Sequence, residues 1–159
     1  MTTDSITVPC PLELVRDLAV CWKARLSLEH WTLGVAWDHG LDSGHCAEMR
    51  TSSGLDAEMV LAADHLDHQT WPELRKSVVH ELIHLWTDGM HDAQRALAEN
   101  LVPTGAMQNV VNDHFDKAHE KAVDGFLSVV LDVPGWEDKD LADAFQTAQS
   151  EPQEPPDGS

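Results

Sequence analysis

Within VVHELIHLW, residues 78–86, His80 and His84 stand four positions apart, and Glu81 directly follows the first histidine. Residues four apart share one face of an α-helix, so two imidazole nitrogens can meet a single cation. Glu81 leans toward the same side, where its carboxylate can take a proton from a metal-activated water without being a ligand. Zn²⁺ is the expected ion, because neutral imidazole suits it and an open position on it brings the pKa of water to about 7. The plain alternative is the polar side of an ordinary helix that is rich in histidine. The neighbours favour a site: Leu74, Val78, Leu82 and Leu85, widened by Val79, Ile83 and Trp86, make more than half of the circumference apolar. A helix so buried belongs at the floor of a cleft.

A catalytic zinc needs a third protein ligand. EKAVD (120–124) places Glu120 and Asp124 one helical turn apart, and Val123, Leu127 and Leu131 continue that segment toward a core. HELIH followed by EKAVD resembles the gluzincins, zinc metallopeptidases in which HExxH is followed by ExxxD on a second helix. The resemblance implies that Glu120 is the third ligand and that Asp124 holds His80 in its metal-binding tautomer. It extends to the layout of small single-domain HExxH proteins of bacteriophage genomes. It also implies that the last strand before the active helix borders the cleft and binds extended peptide, which here selects Met59, Val60 and Leu61.

The chain departs from that pattern in two ways. Glu120 follows His84 by 36 positions, longer than in typical gluzincins, so an insertion over DGMHDAQRALAENLVPTG is implied. The gap holds His91, with Asp92 beside it, as the alternative third ligand. Read without the resemblance, Lys117, Glu120, Lys121 and Asp124 are an ion-pair ladder on a solvated helix. Larger gluzincins stabilise the oxyanion with a Tyr or His placed after the glutamate ligand. This chain has no tyrosine and no histidine after His119. His45, His91, His114 and His119 remain as donors, with His114 read as a packing histidine.

The elements that must position these groups are legible from periodicity. PLELVRDLAVCWKARLSL carries Leu14, Leu18, Cys21 or Trp22, and Leu26 at helical spacing. WTLGVAWD alternates as a half-buried strand, and CAEMRT (46–51) with DAEMVLAA (56–63) predict an antiparallel hairpin. Thr70 and Glu73 fit a capping box for the HExxH helix, with Pro72 in its first turn. Gly89 is expected to end that helix, leaving DAQRALAENL as a separate short one. A long helix follows from about Gly105 to Leu131, with Met107, Val111, His114 or Phe115, Ala118, Ala122 and Phe126 in one stripe, and a short one lies around Leu141 and Phe145. The expected fold is α+β and minimal zincin-like: a three-stranded, mostly antiparallel sheet on an N-terminal helix, the HExxH helix and a long C-terminal helix.

Composition sets the outer bounds. A chain of 159 residues, 42% apolar, forms one domain with a real core; residues 1–147 are read as that domain and 148–159 as a disordered acidic, proline-rich tail. A formal charge of −18 argues against nucleic acid or an anionic membrane as partner. Cys10, Cys21 and Cys46 lack a CxxC pairing and suit reduced thiols. MTTDSITVPC has neither a basic n-region nor an apolar h-region, so a cytoplasmic protein of a bacterial or phage-infected cell, without signal peptide, is expected. The expected activity is zinc-dependent hydrolysis of peptide bonds, with a peptide or protein as substrate and Glu81 as general base. The alternative is a zinc-stabilised binding or structural protein without proteolysis; a metal-free helical adaptor is a third reading.

Overall fold

The computed structural model describes residues 12–38, 40–41, 46–52, 54–62, 70–102 and 105–150. Helix α1 (Leu12–Arg25) leads into strand β1 (Thr32–Asp38), followed by β2 (Ala47–Thr51) and β3 (Asp56–Ala62). Three helices complete the described chain: α2 (Trp71–Leu101), α3 (Ala106–Leu131) and α4 (Lys139–Ser150). The class is α+β, as expected. Among the described residues, no helix is long and apolar enough to cross a membrane.

The sheet is mixed rather than mostly antiparallel. Its order is β1-β3-β2, with β3 antiparallel to β2 and parallel to β1. The hairpin between β2 and β3 forms as the turn chemistry predicts, but β1 reaches past β2 to pair with β3. The reason is apolar content. Ala57, Met59, Val60, Leu61 and Ala62 are all buried, so β3 is covered on both faces and takes the centre. β1 and β2 keep solvated residues and become the edges. Met59, Val60 and Leu61 therefore cannot be the peptide-binding edge, because both of their ladders are already filled; the edge beside the HExxH helix is β2.

Helix α2 starts as its sequence dictates. The Glu73 carboxylate accepts hydrogen bonds from the Thr70 backbone N–H (2.7 Å) and the Thr70 hydroxyl (2.8 Å), and these bonds hold its pKa below the usual range. It then runs 31 residues without a break, straight through Gly89. A mid-helix glycine costs about 1 kcal/mol, too little to end a helix that is braced elsewhere. The bracing comes from α3, which folds back along α2. The expected insertion is thus the distal part of an α-helical hairpin.

The core joins α1, the sheet and the first half of α2, with Trp22, Met59, Leu61, Leu74, Val78 and Leu82 among its buried residues. Val123 and Leu127 of α3 and Phe145 of α4 close it. Helix α4 continues to Ser150, so 148–150 are helical and not part of a tail; 151–159 lie outside the described residues. One polar clasp ties the layers together. Asp138, 1% exposed, accepts from Trp22 Nε1 (2.7 Å) and Arg75 Nε (3.0 Å) and pairs with Arg25. Cys21 and Cys46 are free thiols, and Cys10 lies outside the described residues.

Candidate metal centre

The hairpin geometry decides which distant residues meet. His84 lies 17 residues before the end of α2, and Glu120 lies 14 residues into α3. Two antiparallel helices joined by a short turn bring such near-equidistant positions opposite one another. The same pairing recurs along the hairpin: His80 faces Asp124, and His91 faces Asp116.

His80, His84 and Glu120 converge so that one ligand atom from each lies within 4.8 Å of the others. The two histidine Nε2 atoms are 2.9 Å apart. Glu120 Oε1 is 3.4 Å from His84 Nε2, and its Oε2 is 3.6 Å from His80 Nε2. Tetrahedral coordination at ~2.0–2.1 Å separates ligand atoms by about 3.3 Å. The observed triangle brackets that figure, so two imidazoles and a carboxylate could hold a metal ion here. Burial pushes the His84 pKa down, Glu120 pushes it back up, and His80, His119 and His91 depress it further. The net effect favours neutral imidazole, the form that binds a cation.

Each histidine of the cluster has a neighbour at its other nitrogen. His80 Nδ1 is 3.6 Å from Asp124 Oδ1, close enough for charge attraction but longer than a hydrogen bond. His84 Nδ1 is 3.2 Å from His119 Nε2. With His84 Nε2 turned to the ligand triangle, its proton belongs on Nδ1, where His119 accepts it. Thr87 stands at the same junction: its hydroxyl lies 3.2 Å from His119 Nε2 and donates to the Ile83 carbonyl at 3.0 Å. This orienting role of His119 and Thr87 escapes sequence reasoning, because nothing in the chain pairs position 119 with 84 and 87 until the hairpin is known.

Glu81 occupies a different environment from Glu120. It is 8% exposed, whereas the Glu120 side chain is 56% exposed. Burial raises the Glu81 pKa to about 7, with the Met49 backbone N–H opposing the shift and the Glu120 and Glu48 charges adding to it. Met49 belongs to the edge strand β2, so Glu81 sits where α2 meets that edge. Both carboxylates line a cavity of about 410 Å³, walled by β2 on one side and by α2 with α3 on the other.

His91 lines the same cavity but stands apart from the three-ligand cluster. Its Nε2 is 3.0 Å from Asp116 Oδ1, and its ring centroid is 4.4 Å from that of His119. Arg95 Nε reaches the same Asp116 oxygen at 3.8 Å. His114 is exposed and not a packing residue, since position 114 falls on the outer side of α3. His45 lies outside the described residues. Comparison with protein-family models, with curated proteins and with solved structures gives no match to this chain.

Proposed function

We propose that this protein is a zinc-dependent hydrolase of peptide bonds, built as a minimal gluzincin-type metallopeptidase. The observation that carries the reading is the meeting of two unlike carboxylates at one histidine pair. Glu120 joins His80 and His84 as a ligand set, while Glu81 stays buried beside them at the cavity wall. A Zn²⁺ ion held there supplies Lewis acidity, polarising a carbonyl and making water nucleophilic near neutral pH.

The chain's own groups do the rest. Glu81 would accept the proton of the attacking water and return it to the leaving nitrogen; burial raises its pKa in the metal-free protein, and a cation at the adjacent histidines would draw it back toward the carboxylate that a general base requires. β2 is the sheet edge that borders the cavity, where an extended peptide would add as a further strand beside the Met49 N–H that already serves Glu81. An oxyanion donor would have to come from the other groups that line the cavity, of which Arg95 and His91 rest on Asp116 and His119 on His84.

The absence of tyrosine, the oxyanion donor of larger gluzincins, favours a second reading: a binding protein stabilised by the same cation. Glu81→Gln separates the two. Under the hydrolase reading, this variant keeps stoichiometric zinc by elemental analysis and loses at least about 100-fold in peptide hydrolysis. Wild-type protein that holds zinc without cleaving a peptide library supports the binding protein. Wild-type protein without metal after zinc-replete purification ends both readings.

A further inference from the structure

The α2–α3 hairpin has two unlike sides. Helical spacing puts Trp86, Met90, Leu97 and Leu101 within one narrow stripe of α2, and Phe115 and Phe126 on the matching stripe of α3. Trp86 and Phe126 touch across the helices, with ring centroids 5.1 Å apart, so the two stripes merge into one face. That face is turned away from the cavity, which lies on the side bearing His84 and Glu120. It is open to solvent: Leu97 is 55% exposed, Leu101 72% and Trp86 51%. A contiguous apolar surface of this kind is unusual on a solitary domain and marks an interaction site.

We infer that two copies of this chain dimerise through these faces, packing their hairpins into a four-helix bundle. Charge restricts where two copies can meet. The chain carries 28 Asp and Glu against 10 Lys and Arg, so two copies repel each other over most of their surface. The positions that share the two stripes hold no Asp, Glu, Lys or Arg, while Asp113, Asp116, Glu120 and Asp124 all fall on the cavity side. A neutral, apolar, self-complementary face is what a two-fold contact between acidic molecules requires. Area is also sufficient. From Trp86 to Leu101, α2 spans about 24 Å, and two helices side by side are about 20 Å wide. Each copy contributes roughly 500 Å², and the pair buries about 1,000 Å², the lower size limit of a specific interface. The contact leaves both cavities open, and it is independent of any metal.

Sedimentation equilibrium of the full chain tests this. At about 100 µM, inside the micromolar-to-millimolar range of weak association, the expected mass is twice 17.6 kDa, falling toward 17.6 kDa on dilution. Leu97→Glu puts a carboxylate into both halves of the face and is expected to raise the dissociation constant at least about tenfold. Its circular dichroism should be unchanged, because Leu97 packs little within one chain. Val20→Glu, at a 62% exposed position of α1, should leave the dimer intact. A wild-type mass that stays at one chain overturns the inference and assigns the face to another segment of this chain or to a different protein. A dimer that survives Leu97→Glu, or that Val20→Glu disrupts, places the contact elsewhere and overturns it equally.

Discussion

Glu81 carries a charge that the fold disfavours, and this has a measurable sign. Its folded pKa of about 7 lies above the ordinary 4.5, so the native state of the metal-free protein keeps this proton over a range where the unfolded chain has released it. Stability from this group is therefore highest at low pH and falls as pH rises from 4.5 to about 7, by at most about 3 kcal/mol. Glu81→Gln removes the dependence. In urea unfolding with chelator present, the variant should gain on wild type at pH 8 relative to pH 5; a difference that ignores pH would refute the buried carboxyl. At His84 the expected effect concerns affinity. His119→Ala frees Nδ1 of His84 and should weaken zinc binding about 10- to 100-fold in a competition titration, with His119→Gln recovering part of the loss. Unchanged affinity in the alanine variant would deny His119 its orienting role. His80, Glu81 and His84 were legible as a set because their spacing is local. His119 was not, since its partners lie on another helix.

At the scale of elements, Gly89 is the most direct probe of the hairpin. It sits inside continuous helix, exposed, with open space where a Cβ would project. Gly89→Ala should stabilise the protein by about 0.5–1 kcal/mol in thermal or urea unfolding. If α2 ended there in a left-handed cap, alanine would destabilise instead. The sequence argued for such a stop because glycine within TDGMHD resembles a turn; it gave no sign of the long contact with α3 that outweighs a weak local preference. A related misreading affected the sheet. The pairing of β2 with β3 was visible in the short Ser-Ser-Gly connection, whereas the parallel partner β1 was not, since no turn encodes it. The run Met59 to Ala62 did hold the clue, as uninterrupted apolar residues belong to a central strand. The stripe from Met107 to Phe126 was correctly periodic but faces outward over much of its length, because apolar periodicity marks a contact surface without saying which molecule supplies the contact.

Across the whole molecule, Asp138 is the point at which α1, α2 and the start of α4 are held together, through Trp22, Arg25 and Arg75. Removing the carboxylate strands two guanidinium groups that are only 20% and 14% exposed. Asp138→Ala should therefore cost about 3–5 kcal/mol in denaturant unfolding, well beyond a surface substitution; a loss under about 1 kcal/mol would show the clasp to be dispensable. The ligand triangle has a consequence of another kind. His84 and Glu120 lie 36 positions apart on separate helices, so a cation between them is a reversible cross-link that closes a loop of that length. Because such a cation would bind the folded arrangement and leave the unfolded chain, it would stabilise the fold by mass action, about 2.7 kcal/mol at a hundredfold excess over its dissociation constant. The distal hairpin would then breathe more freely whenever the ion leaves, and amide exchange along residues 86–118 would report its departure.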